Sequence, residues 1–208
     1  MFYFFTALVF PGSNNTIRMD RIYCYRGVYM KRAVSTWQMV GFVFTGILGT
    51  LLHFWFDWSD GSAFSAVFSA VNESIWEHIK LLYFPMLVFA FVENKFLVSE
   101  HRNFWYAKTV GYIIGILLIP ALYYTYTGAF GVKADWFNIM IFFITAFVVF
   151  FTETKIIKSS REYRISPTVL KAFILILGAL LVIFTFSPPK APLFQDPING
   201  TYGIWRVS

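Results

Sequence analysis

The chain has 208 residues, of which 58% are hydrophobic and only 13% are charged, whereas a soluble domain carries about 25% charged residues. So few charges cannot cover the surface of a soluble protein. The composition therefore predicts an integral membrane protein whose solvent is the lipid bilayer. It argues against a nucleic-acid-binding protein, because such a protein needs a basic patch on a soluble face.

The first 29 residues form a poorly defined N-terminal segment. The opening "MFYFFTALVF" is apolar, but ten residues are too few to span a bilayer. The stretch that follows, 11–32, is predicted to be irregular. Two alternatives stay open: translation starts at Met30 or Met19, or the segment is a short interfacial anchor. Cys24 is the single cysteine and is predicted to be an inert thiol, because one cysteine makes no internal disulfide.

Five later windows are long and apolar enough to cross about 30 Å of hydrocarbon. Their continuous apolar runs indicate helices, since barrel strands would alternate in polarity. The fold class is therefore predicted as all-α, a polytopic membrane helix bundle with about five transmembrane helices in a domain over residues 30–186. A tail rich in Pro and Gly, 187–208, is either disordered or folded back over the outer face. The five windows are approximately 37–56, 75–98, 104–126, 136–152 and 168–186.

The basic residues predict how the chain is threaded. Thirteen of the 17 lysines and arginines lie on one side of the predicted spans. By the positive-inside rule that side is cytoplasmic, which puts the N-terminus inside the cell and the C-terminus outside, in the plasma membrane. The basic residues of this side are Arg18, Arg21, Arg26, Lys31, Arg32, Lys95, Arg102, Lys108, Lys155, Lys158, Arg161, Arg164 and Lys171.

Two features of the predicted spans concern packing. Gly111 and Gly115 form a GxxxG pattern in the third span, which allows close helix contact and self-association through helices. Glu93 and Glu153 lie near the inner ends of the second and fourth spans. Glu93 is expected to pair locally, and Glu153 is expected to mark the membrane interface.

A short amphipathic helix is predicted in the outer interface before the second span. Over 62–72 the apolar and polar side chains fall on opposite helical faces. The apolar face is Phe64, Val67, Phe68 and Val71, and the polar face is Ser62, Ser65, Ser69 and Asn72.

In the stretch "SAVNESIWEHIKLLYFP", 69–85, several charged residues lie at the start of an apolar segment. Ser74 and Glu77 match the capping box S-x-x-E, in which the glutamate returns a hydrogen bond to the serine backbone. On this purely structural interpretation Trp76 lies in the interface and Lys80 snorkels outward. The minimal alternative for the charges is an ion pair of Lys80 with Glu77 or Glu73.

The functional interpretation starts from the cost of ionisable groups near hydrocarbon, which makes them candidates for a site. His53 and Asp57 are four residues apart on the first span and share a face. Two helices would therefore bring one polar cluster together near the outer boundary. The predicted cluster is His53, Asp57, Asn72, Glu73, Glu77, His78 and Lys80.

A metal site is the sharper form of this hypothesis. Imidazole and carboxylate ligands suit zinc, manganese or iron, and the predicted ligands are His53 and Asp57 with Glu73, Glu77 or His78. The spacing matches neither HExxH nor an ExxH di-iron pair. A metal-free polar pocket for a small molecule, a lipid headgroup or a proton is the alternative.

The segments "HFWFDWS", "NESIWEHIK" and "PLFQDPINGTYG" resemble those of an uncharacterised family of small multi-pass bacterial membrane proteins with an NESxWEHxK-type motif. The resemblance runs from about Met30 to the C-terminus. It implies a bacterial cell membrane and adds Asp196 of the tail to the outer polar cluster, but it implies no activity.

Three classes of function follow from the sequence. The first is a binding or transport-related protein with an outward-facing pocket of acidic and histidine side chains. The second is a membrane-embedded enzyme that acts on a lipid or envelope precursor, with a carboxylate–histidine pair or a metal ion activating water. The third is a structural or accessory subunit whose polar cluster only packs helices.

Overall fold

The computed structural model describes residues 14–97, 101–131 and 135–204, with side chains from Arg32 onward except that of Asp135. The described residues form helices and no strand, apart from an isolated bridge between Gln195 and Tyr202. The all-α prediction is confirmed. The elements are α1 (Asn14–Trp58), α2 (Ala63–Phe68), α3 (Ile75–Leu97), α4 (Phe104–Phe130), α5 (Asp135–Ile157), α6 (Pro167–Phe186) and a 3₁₀ turn (Pro192–Phe194).

Five of these helices have the length and hydropathy of membrane spans, which confirms the predicted number. Their outward faces are apolar; Leu117, for example, is 64% exposed and Ile176 is 59% exposed. Exposed leucines and isoleucines along whole helices fit a lipid surrounding rather than water. The spans are Arg32–Trp58, Ile75–Leu97, Phe104–Phe130, Trp136–Ile157 and Pro167–Phe186.

The first helix corrects the prediction for the N-terminal segment. The stretch predicted to be irregular is helical from Asn14 onward, so that α1 runs for 45 residues without a break. Between Asn14 and Met30 the chain has one glycine, Gly27, and no proline, so that nothing stops a helix that continues from the span. The apolar opening of the chain, 1–13, lies outside the described residues.

The spans pack with α3 at the centre of the bundle. Helices α1, α4 and α6 all lie against α3, and α5 closes the gap between α1 and α4. Because successive spans are antiparallel, α1, α4 and α6 finish at one end, where α3 and α5 begin. We call this end the His53 end and the opposite end the Lys108 end.

The GxxxG glycines lie inside this bundle. A Cβ atom at Gly115 would meet the Leu82 side chain of α3 at 2.8 Å, and one at Gly111 would overlap the Glu153 carboxyl of α5. The two glycines therefore let α4 approach its neighbours within the same chain.

The predicted interfacial helix is present as α2, but it is shorter than the predicted 62–72. Its serine face is the buried one: the Ser69 hydroxyl donates to the Leu52 carbonyl and accepts from the Phe56 N–H at 3.1 Å. Phe64 on the opposite face is 67% exposed. The serines thus tie α2 to the last turn of α1, and Phe64 faces outward, whereas Phe68 packs on Phe84 of α3.

The tail folds back over the His53 end, which decides between the two predicted alternatives for its described part. Phe194 packs on Trp76, with the ring centroids 4.7 Å apart. The Asn72 side chain donates to the Gly203 carbonyl at 2.9 Å. The tail therefore covers the loop that leads into α3.

Candidate functional site

Two histidines and one glutamate meet at the His53 end. Glu73 lies between the two imidazoles, with Oε1 3.7 Å from His53 Nε2 and Oε2 3.4 Å from His78 Nε2. One potential ligand atom from each residue lies within 4.8 Å of the others. The three residues come from α1, from the loop before α3 and from the first turn of α3. We call them the His–Glu–His site.

The backbone fixes the orientation of one imidazole. His78 Nδ1 lies 2.9 Å from the Ser74 carbonyl oxygen, which can only accept a hydrogen bond, so that Nδ1 carries a proton and Nε2 is the nitrogen directed toward Glu73. Such a hydrogen bond on the far nitrogen is the usual support of a metal-binding histidine. His53 Nδ1 is buried and has no hydrogen-bond partner.

The tail holds the glutamate of the site in place. The Glu73 backbone N–H donates to Asp196 Oδ2 at 3.4 Å, and Asp196 Oδ1 accepts from the Ile198 N–H at 2.7 Å. The aspartate itself is 3% exposed. Asp196 thus binds the backbone of Glu73 and supports the loop before α3. Its carboxylate is not one of the three groups that lie within 4.8 Å of one another.

A cavity of about 350 Å³ opens beside the His–Glu–His site. It lies between α1, α3 and α5, and apart from the site its walls are mainly apolar. Two wall residues, Ile139 and Phe143, are 60% and 39% exposed on the outside of the bundle. The cavity therefore borders the apolar outer surface between α1 and α5. Its lining is Gly49, Thr50, His53, Phe54, Glu73, His78, Leu81, Asn138, Ile139, Phe142, Phe143 and Ile198.

Asn138 is a polar residue of this region that sequence reasoning missed. It lines the cavity of about 350 Å³ and a smaller cavity that Glu73 and His78 also line. Its Oδ1 is buried without a hydrogen-bond partner. A buried acceptor without a donor is costly, so Asn138 is an unusual polar group in an otherwise largely apolar wall. The available signal was a single amide within the apolar run "WFNIMIFF".

Glu77 and Lys80 form a separate buried pair. Lys80 Nζ lies 2.6 Å from Glu77 Oε2 and donates to the Ala66 carbonyl and the Thr185 hydroxyl, both at 2.8 Å. Thr185 in turn donates to Glu77 Oε1 at 2.8 Å. Lys80 is 0% exposed, so the prediction that it snorkels outward is wrong: α2 and α6 surround it with acceptors that replace water.

Only half of the predicted capping box forms. Ser74 Oγ accepts from the Glu77 N–H at 3.4 Å, whereas the Ser74 N–H donates to Asn72 Oδ1 at 2.9 Å. The Glu77 carboxylate accepts from the Val71 N–H and pairs with Lys80 instead. Asn72 thus links the loop before α3 to the tail, because its Oδ1 accepts from Ser74 and its Nδ2 donates to the Gly203 carbonyl.

The predicted polar cluster is therefore divided. His53, Glu73 and His78 come together, and Glu77 is directed away from them toward α6. Asp57 is exposed at the end of α1 and is not among the groups that share ligand distance. The structure thus places Glu73, rather than Asp57 or Glu77, as the carboxylate between the imidazoles.

A second buried polar group lies at the Lys108 end and was not predicted. Lys108 Nζ is 2.6 Å from Glu93 Oε2 and 2.5 Å from Glu153 Oε2, and Gln38 Nε2 donates to Glu93 Oε1 at 2.6 Å. We call these four residues the Lys108 cluster. Glu153 is 0% exposed and pairs with Lys108 inside the bundle, and Glu93 pairs across helices rather than locally as expected.

The fold and its polar groups define a multi-pass helical membrane protein with ionisable side chains buried at both ends. Residues 28–204 match the model of a family of unknown function, DUF6512, and the chain belongs to this family. Neither a curated protein nor a solved structure matches the chain.

Proposed function

We propose that this protein binds a transition-metal ion at the His–Glu–His site and, with it, the polar end of a small amphiphile held in the adjoining cavity. The observation that carries the proposal is the convergence of His53, Glu73 and His78 on the rim of a largely apolar cavity. A structural role for these residues would not require a cavity beside them.

The distances among the three side chains suit ligands of a shared zinc ion better than direct hydrogen bonds between the side chains. Zinc binds imidazole nitrogen and carboxylate oxygen at about 2.0–2.2 Å, so that ligand atoms in a tetrahedral site lie roughly 3.4 Å apart. Glu73 Oε1 lies 3.7 Å from His53 Nε2 and Glu73 Oε2 lies 3.4 Å from His78 Nε2, and one potential ligand atom from each of the three residues lies within 4.8 Å of the others. Both distances from Glu73 are long for direct hydrogen bonds. Small rotations of the side chains would complete the set.

Three protein ligands leave a coordination position for a bound molecule. The apolar walls suit an acyl or isoprenoid chain, and Asn138 Oδ1 offers an acceptor near the polar end. The exposed wall residues between α1 and α5 support entry from the lipid side. A lipid or envelope precursor with a polar head matches this combination of surfaces.

The basic side chains support an orientation for the site. From the positive-inside rule we infer that the Lys108 end is cytoplasmic and that the His53 end lies outside. The site then faces the extracytoplasmic leaflet of a bacterial cell membrane, and the segments "NESIWEHIK" and "PLFQDPINGTYG" build its loop and cover.

The test is the zinc content of the purified protein. We expect wild-type protein in detergent, stripped with a chelator, reloaded with zinc and desalted, to retain one zinc ion per chain by mass spectrometry of the metal. The variant His53→Ala should retain only background zinc, because two remaining ligands hold the ion weakly.

His101→Ala is the matched control, since it removes the third histidine of the chain at the Lys108 end. It should retain zinc like the wild type. A wild-type protein that takes up no zinc, manganese or iron above background would overturn the metal site. Equal loss of zinc in both variants would place the ion elsewhere.

An enzymatic role is the second candidate, favoured by the number of ligands. Catalytic zinc sites have three protein ligands and an open position, whereas structural sites are closed by four. The test is whether zinc-loaded protein hydrolyses a lipid ester or phosphoester in mixed micelles. Hydrolysis by the wild type that is absent in His53→Ala would favour catalysis over binding alone. Zinc retention without turnover of such lipids would favour binding alone.

A further inference from the structure

The charges of the Lys108 cluster do not balance. Two carboxylates, Glu93 and Glu153, face one ammonium group, and Gln38 adds no charge. Both glutamates are 0% exposed, and Lys108 is 1% exposed. If all three groups were ionised, the cluster would carry a net negative charge inside the bundle.

An uncompensated charge at this depth is costly. Removing an ion from water costs several kcal/mol even after relaxation, and within membrane spans such charges are paired or neutralised. A buried acid without a counter-charge normally becomes neutral by taking up a proton. We propose that the Lys108 cluster is a proton-binding site in which Glu153 carries one exchangeable proton.

The polar contacts of the two carboxylates select the glutamate that carries the proton. Glu93 Oε1 accepts a hydrogen bond from Gln38, and Glu93 Oε2 accepts no hydrogen bond but lies 2.6 Å from the Lys108 ammonium as an ion pair. Glu153 has only Oε2 engaged, and its Oε1 is buried with no partner. Of the four carboxylate oxygens in the cluster, a negatively charged Glu153 Oε1 would be the least stabilised, because it has no donor. We therefore assign the proton to Glu153 Oε1.

A proton fits the cluster better than a metal cation. The Lys108 ammonium already occupies the position between the two carboxylates, at 2.6 and 2.5 Å. A second cation would need several oxygen ligands beside a positive charge. Phe104 and Phe150 flank the ammonium, each with its ring centroid 5.5 Å from Nζ, and offer none.

The groups around Glu153 leave the proton assignment unchanged. Glu153 faces Lys108 of α4 and, across Lys108, Glu93 of α3. Tyr112 of α4 interacts electrostatically with both glutamates, and Tyr83 of α3 packs on Tyr112 at a tilt of 46°, with the ring centroids 4.8 Å apart. Neither tyrosine side chain adds a charge to the cluster. On the side of α6, Lys171 Nζ lies over the Trp105 ring at 4.7 Å. Gln38 is the contribution of α1.

The position of the cluster allows exchange with water at one side of the membrane. Glu93 and Glu153 each precede the end of their helices by four residues, which is about 6 Å along the axis. The His–Glu–His site lies at the opposite end, so this proton site is independent of the proposed metal function.

The test is infrared difference spectroscopy of the wild-type protein in lipid vesicles, titrated from mildly acidic to mildly alkaline pH. We expect the C=O stretch of a protonated carboxyl group, shifted by exchange into D₂O, which disappears as the pH rises. The band should be absent from Glu153→Gln, where an uncharged amide replaces the acid and can still accept from Lys108. Glu162→Gln, an exposed glutamate paired with Arg102 at 3.2 Å, should keep the band.

Three results would overturn the proposal. The first is a wild-type spectrum without a protonated carboxyl band throughout the titration, a result that requires no variant to fold. The second is a band that sodium ions abolish at constant pH, because the site would then hold a metal cation. A band that survives in Glu153→Gln and is lost in Glu93→Gln would likewise contradict the assignment to Glu153.

Discussion

Lys80→Met is expected to lower the free energy of unfolding by about 3–5 kcal/mol, the usual cost of breaking a buried ion pair from one side. Methionine fills a similar volume but leaves the Glu77 carboxylate without its counter-charge and the Ala66 carbonyl without a donor. The measurement is denaturant unfolding of the detergent-solubilised protein, monitored by tryptophan fluorescence.

Arg102→Met is the control for Lys80→Met. Arg102 and Glu162 are also an ion pair, at 3.2 Å, but their side chains are 83% and 54% exposed, so that the expected loss is within about 1 kcal/mol. The double variant Glu77→Gln with Lys80→Met should recover part of the stability, because no buried charge is left. A Lys80→Met protein as stable as the wild type would show that the pair does not hold α3 to α6.

Glu73→Gln is expected to weaken zinc binding by more than roughly 100-fold, beyond the 10–100-fold effect of losing a group that only supports a ligand. The substitution keeps the shape of the side chain and removes the negative charge between the two imidazoles. The measurement is competition for zinc against a chelator of known affinity.

Asp57→Asn is the matched substitution in this experiment, because Asp57 and His53 share a helical face in the sequence and the structure leaves Asp57 exposed. Zinc affinity should stay within about 3-fold of the wild type, the size of a distant charge effect near the surface. A larger loss in Asp57→Asn than in Glu73→Gln would favour the ligand set suggested by helical spacing over the one in the structure.

The sequence predicts the helices well because the bilayer demands long apolar runs, and these are local features. It predicts lateral packing poorly. Lys108 was counted among loop charges, yet it is buried against Glu93 and Glu153. The three residues lie far apart in the chain, and no spacing rule shows that three helices bring them to one level of the bundle.

The candidate site was predicted in outline and not in its ligand set. His53 and His78 were identified because histidines near hydrocarbon are rare and costly. Their carboxylate partner could not be chosen, since Glu73 belongs to a loop whose position depends on Asp196 of the tail. The sequence left Lys80 to pair with either Glu77 or Glu73 and grouped both glutamates with the histidines, whereas Glu77 and Lys80 both bind Thr185 of α6.

X-ray absorption at the zinc edge of the reloaded wild-type protein tests the proposed site most directly. The expected spectrum has two imidazole ligands and oxygen neighbours, with zinc–nitrogen distances of about 2.0–2.1 Å. A shell with sulfur at about 2.3 Å would assign the ion to Cys24. A shell of oxygen alone would mean that His53 and His78 do not hold it, and either result would contradict the site.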